Sequence, residues 1–167
     1  MLKKTTLILL VILTGCQSYE DRFFIQEYDE DSANIAYSEV KHHEINGSKQ
    51  RVKQLDFDSK DVLRKEIFFG DEFINKIRFY DENGVLAKEE IFNVNQKDKL
   101  TGERILYYPN TNKKEEYDFS NGKKDGYYTS YYTNGALESD LEYTSGTLSG
   151  SCSWYYPSGN LMKIQEF

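Results

Sequence analysis

Between Leu137 and Tyr143 the chain alternates without a break: Leu137, Ser139, Leu141 and Tyr143 take one parity, and Glu138, Asp140 and Glu142 the other. Successive side chains on a strand point to opposite faces, so this spacing predicts a strand with one apolar and one acidic side. The segments Leu86 to Phe92 and Leu63 to Phe69 have the same six-residue separation between their outer apolar members, which places both ends on one side. Asn83-Gly84, Asn121-Gly122, Asn134-Gly135 and Ser158-Gly159 punctuate these segments. They predict tight hairpin turns, because Gly, and to a lesser degree Asn, enters positive φ at little cost.

The punctuation is periodic. Gly102, Gly126 and Gly150 are 24 residues apart, and the same shift lays Tyr107-Tyr108 on Tyr131-Tyr132 and Tyr155-Tyr156. It also matches Gly135 with Gly159, Leu137 with Leu161, and Phe119 with Tyr143 and Phe167. Weaker copies precede them, with Tyr80, Gly84, Leu86 and Phe92 in one and Phe57, Leu63 and Phe69 in another. A fixed period of this length marks stacked units of supersecondary structure. The expected fold is all-β, an elongated, twisted antiparallel sheet of tandem hairpin repeats over residues 57–167, with a capping strand region at 35–56. An irregular insertion is expected near Asn95 to Leu100.

The first residues have another character. Lys3-Lys4 precede an unbroken apolar run from Leu7 to Leu13, ended by Thr14, Gly15 and Cys16. A membrane-spanning helix needs about 20 apolar residues, so the run is too short to span and has the form of a secretory leader. Leu13-Thr14-Gly15-Cys16 resembles the bacterial lipobox. That resemblance implies cleavage of a signal helix at residues 1–15 and lipidation of Cys16, which would tie the protein to a bilayer facing the periplasm or the exterior, on the cell membrane or the outer membrane. Residues 16–34, with Glu20-Asp21 and Asp29-Glu30-Asp31 and no apolar period, are expected to be a flexible tether.

The repeats resemble the MORN-repeat variant family, whose pattern combines a glycine, a Tyr-Tyr pair, a turn glycine and a leucine. The resemblance implies a sheet that serves as a scaffold and interaction surface with no shared catalytic residue. In the first clear unit Thr111 stands where the turn glycine belongs and Lys113 replaces the leucine, so distortion is expected there. Bacterial proteins with similar repeats often carry antitoxin labels, which sets an immunity or antitoxin role neutralising a partner toxin beside the scaffold role.

Composition narrows the choice. Hydrophobic residues are only 38% of the chain while aromatics reach 15%, so the core must be built largely of Tyr and Phe, which favours strands. The formal charge of −7 repels phosphate backbones and disfavours a nucleic-acid partner. No phosphate loop, nucleophile elbow or metal-spaced Cys/His cluster occurs, so neither catalytic residues nor a metal or other cofactor is expected. His42 and His43 are strand neighbours that point apart, and Cys152 is expected to be a small buried hydrophobe. The acid pairs Glu89-Glu90 and Glu115-Glu116 should diverge and stay solvated.

The tyrosines remain. Tyr128 and Tyr132 are expected on one strand face and Tyr127 and Tyr131 on the other, one row packing and the other open. Tyr108, Tyr128, Tyr132 and Tyr156 are the candidate surface for a protein or glycan partner.

Overall fold

The computed structural model of the chain describes residues 35–45, 48–70, 73–93 and 101–167 and, as backbone, residues 8–11 and 18–24. These form strands and turns, with no helix among the described residues. The chain divides into two compact units, Met1–Gly84 and Val85–Phe167.

In the first unit β1 (Ile8–Val11), β2 (Ser18–Phe24), β3 (Tyr37–Ile45), β4 (Ser48–Phe57), β5 (Leu63–Phe69) and β6 (Ile74–Tyr80) each pair antiparallel with the next. The expected capping region supplies β3 and most of β4, and Tyr37 stacks on Phe57 across them at 4.9 Å. Among the described residues of this unit, Val40 and Ile67 are the buried apolar side chains. The second unit continues the same way through β7 (Leu86–Asn93), β8 (Thr101–Tyr107), β9 (Lys113–Ser120), β10 (Lys123–Tyr131), β11 (Leu137–Thr144), β12 (Thr147–Tyr155) and β13 (Leu161–Glu166). Its buried apolar set is Ile105, Phe119, Leu141 and Cys152.

Two kinds of turn alternate in the second unit and account for its 24-residue period. The short kind joins β9 to β10 and β11 to β12 through Asn121-Gly122 (φ 49° and 78°) and Ser145-Gly146 (φ 53° and 90°). Two successive positive φ values suit the right-handed twist of the flanking strands. The longer kind runs Tyr132 to Ala136, where the Tyr132 N–H donates to the Ala136 carbonyl and the Gly135 N–H to the Tyr132 carbonyl, both at 2.8 Å. Tyr156 to Asn160 repeats these bonds, and so does Tyr108 to Asn112.

The expected distortion at Thr111 is absent. Thr111 takes φ 68° where Gly135 and Gly159 take 85°, and its N–H donates to the Tyr108 carbonyl at 2.9 Å. Closing the hairpin requires the positive φ, and the β-branched residue accepts the strain. The leading glycine has a different cause. Gly102 lies opposite Phe92 on one side and Phe119 on the other, and a Cβ there would strike the Ile91 carbonyl and come within 3.0 Å of the Phe119 ring. The two rings meet edge to face over that gap, with centroids 6.2 Å apart.

The apolar run read as a leader helix contributes β1, and the tether contributes β2, which pairs with β3 from Ser18↔His43 to Phe24↔Tyr37. A continuous Leu/Ile/Val run satisfies a strand as readily as a helix when a neighbouring backbone offers hydrogen bonds. Cys16 and the insertion at Asn95 to Leu100 lie outside the described residues.

Candidate binding face

Residues directly opposite in an antiparallel pair share a face, so the register of the second unit sorts its side chains into two surfaces. One rung runs Glu90, Arg104, Tyr117, Tyr128, Leu141 across β7 to β11. Another on the same face runs Ser130, Ser139, Trp154, Lys163 across β10 to β13. Tyr117 stacks against Tyr128 with centroids 5.9 Å apart, and Tyr128 meets Tyr143 edge to face at 5.8 Å. Strands of this unit pack on their sheet neighbours, and no second layer covers this face among the described residues.

Cations thread the rings. The Lys124 ammonium lies 3.7 Å from the Tyr128 centroid, 4.9 Å from Tyr117 and 5.2 Å from Tyr143. The Arg104 guanidinium lies 5.7 Å from Tyr117 and 5.4 Å from Phe119, and Lys163 lies 5.0 Å from Trp154. A cation over a ring face is held by the ring quadrupole, and the attraction grows as water is excluded. Burial is what moves the titrations here: it lowers the Lys124 ammonium and raises the Tyr128 and Tyr143 hydroxyls, with the Glu115 carboxylate adding to the tyrosine shifts. For Arg104 burial favours the neutral form, but the Tyr117 hydroxyl and the Glu90 carboxylate outweigh it and hold the guanidinium charged. Arg104 Nε donates to Glu90 at 2.8 Å, and the Lys88 ammonium is 3.2 Å from the same carboxylate oxygen.

The opposite face is acidic. Its central rung runs Glu89, Ile105, Glu116, Thr129, Asp140, Ser153, Ile164. Glu103 shares a proton with Glu116; that hydrogen bond, then burial, raises Glu103 to about 7. Burial also opposes ionisation of Glu116, yet the Glu103 hydrogen bond and the Lys113 ammonium at 2.6 Å hold it below the usual carboxylate range. The acid pairs diverge as expected, but Glu89 and Glu90 are buried rather than solvated, because cross-strand neighbours crowd each of them.

The four candidate tyrosines do not form one row. β10 ends at Tyr131 after a register shift at Ser130/Tyr131, so Tyr132 sits in the turn beyond the strand and does not share a strand face with Tyr128. Tyr108, Tyr132 and Tyr156 are equivalent turn residues. The Tyr108 and Tyr132 hydroxyls are engaged with backbone, while the Tyr156 ring is exposed. Tyr128 lies in the ring ladder, and its neighbour Tyr127 is 73% exposed on the acidic side, opposite Glu142. Sequence reasoning missed Lys124, Arg104 and Lys163, although each sits at a strand position whose cross-strand partner carries a ring or neighbours one. Among the described residues no group of His, Cys, Asp and Glu is placed to hold a metal ion.

The MORN repeat variant family matches residues 75–93, 124–145 and 148–167. MORN-variant repeats are thus detected within residues 75–167. Two of the matched stretches each take in one hairpin around the longer turn, β10 with β11 and β12 with β13. The hairpin of β8 and β9, with Thr111 and Lys113, falls outside the match although it closes with the same turn bonds. MORN-variant repeats are as a rule a non-catalytic scaffold. No curated protein matches the chain.

Proposed function

We propose that this protein is a lipid-anchored lipoprotein of the cell envelope whose MORN-variant sheet binds a protein or glycan without catalysing a reaction. One observation carries the binding role: the face bearing Tyr117, Tyr128, Tyr143 and Trp154, with Lys124, Arg104 and Lys163 set among the rings, is uncovered by any described layer. Rings stack on sugar faces and fill protein pockets at small entropic cost, and interleaved cations add directional contacts to hydroxyl or carboxylate oxygens. Support for the anchor comes from Lys3-Lys4, the apolar run and Leu13-Thr14-Gly15-Cys16. Two or more acyl chains on Cys16 would hold the protein stably at a bilayer.

Trp154 is the single tryptophan and sits on this face, so its emission reports occupancy. Titrating the full chain with soluble envelope glycans, and separately with solubilised envelope proteins, should change that emission. Tyr128→Ala and Lys124→Ala should each weaken the response by about tenfold. Undiminished binding by both variants would remove the face from the reading. The anchor is tested separately: Cys16→Ala should abolish labelling by a fatty-acid probe and release the chain to the soluble fraction, and persistent labelling would end the lipoprotein assignment.

A further inference from the structure

β13 bonds to β12 on one side and, among the described residues, has no strand on the other. It stands one 24-residue period after β11, and the two differ in polarity at the four central positions, 138–141 against 162–165. Where β11 presents Glu138, Asp140 and Glu142, β13 presents Met162, Ile164 and Glu166. Where β11 carries Ser139 and Leu141, β13 carries Lys163 and Gln165. Met162 is 47% and Ile164 56% exposed, on the side that is acidic elsewhere in the unit. Outer strands are ordinarily guarded by charge or proline. β13 has no proline, and its one cation, Lys163, is turned onto the Trp154 ring.

A second observation concerns the turn tyrosines. The Tyr108 hydroxyl donates to the Tyr131 carbonyl and the Tyr132 hydroxyl to the Tyr155 carbonyl, each reaching an acceptor 23 residues on. Tyr156 is next in the series, and its ring is 49% exposed. β13 and the turn before it therefore present rings and apolar side chains without the usual edge guards.

We propose that β13 pairs antiparallel with β13 of a second copy of this chain, about a two-fold axis at Ile164. The strand is complementary to itself in that register. Ile164 meets its counterpart, Met162 faces the second copy's Glu166, Lys163 faces Gln165 and Leu161 faces Phe167, so no like charges are opposed. A slip that instead centres the axis on Lys163 sets two ammonium groups against each other, and one centred on Gln165 faces Ile164 with the second copy's Glu166, so the axis at Ile164 keeps apolar against apolar at its centre. Every described pairing in the unit is already antiparallel, so the added ladder continues the sheet without a change of geometry.

Sedimentation velocity of the full chain in a Cys16→Ala background, across the micromolar range, should show a concentration-dependent dimer. Ile164→Lys, which places like charges at the axis, should raise its dissociation constant by about tenfold or more, whereas Asp140→Lys on the same face of interior β11 should not. Ile164→Cys should oxidise to a covalent dimer, since facing Cα atoms in an antiparallel pair lie within disulfide reach, and Asp140→Cys should remain monomeric. A monomer throughout the range, a dimer indifferent to Ile164→Lys, or equal cross-linking at both positions would overturn the proposal. The cross-linking pair decides the matter if Ile164→Lys fails to fold by circular dichroism.

Discussion

The Tyr132 hydroxyl donates to the Tyr155 carbonyl at 2.8 Å, one period after the Tyr108 hydroxyl donates to the Tyr131 carbonyl at 2.9 Å. The second tyrosine of each pair is thus a strut to the first tyrosine of the next, which gives the doubled residue a physical reason. Tyr132→Phe removes one such bond and should cost about 1 kcal/mol, lowering Tm by roughly 2–4 °C. Tyr156→Phe, at the exposed turn, should leave Tm unchanged. Thermal melts followed by circular dichroism compare the two, and equal losses would show that the struts do not stabilise.

Thr111 holds φ 68° in a turn where its equivalents are glycine. Thr111→Gly relieves that strain and should gain about 1 kcal/mol after the extra unfolded-state entropy of glycine is subtracted. Gly135→Val, the converse change, should destabilise by more than that. A melt in which Thr111→Gly is neutral or lower would mean the turn relaxes around threonine.

Much of this fold is legible in the chain. The 24-residue spacing of Gly102, Gly126 and Gly150 follows from one long and one short turn per unit, and the alternation of Leu137 to Tyr143 does sort into a buried and an acidic side, with Ser139 and Leu141 buried and Asp140 and Glu142 exposed. Cys152 is buried, as its residue type suggested. What period two does not carry is register. A shift at Ser130/Tyr131 and the end of β10 at Tyr131 undo the spacing that would have put Tyr128 and Tyr132 together on one strand face. Nor does parity say which acid will be crowded: Glu90 is buried against Arg104, which only pairing brings near. β2 likewise is recognised by what it bonds to in β3 and not by its own pattern.

Glu103 has its titration raised from the ordinary 4.5 of a glutamate to about 7, chiefly by the hydrogen bond to Glu116. The folded chain binds this proton more tightly than the unfolded one, so the associated stability is complete below 4.5 and is lost as pH rises through about 7. Glu103→Gln keeps a donor toward Glu116 and removes the ionisation, so it should raise Tm at about pH 8 and have little effect at about pH 4. Carboxyl chemical shifts of Glu103 followed by NMR give a direct check, and an ordinary carboxylate midpoint would refute the shared proton.

Gly102→Ala would push a methyl group into the Ile91 carbonyl and against the Phe119 ring, so it should cost about 2–3 kcal/mol by overpacking. Gly122→Ala meets nothing within 4 Å and should cost less, through its φ of 78° alone. Urea titration of both variants separates crowding from backbone strain, and the reverse order would show that Phe119 can move aside.

Within each unit every described strand is hydrogen-bonded to the strand that follows it in the chain. Such wiring is modular. Duplicating or deleting one whole period would rethread nothing, so an array of this kind can grow or shrink over generations by single genetic steps, and in one molecule it can fray from a terminus while distant hairpins stay closed.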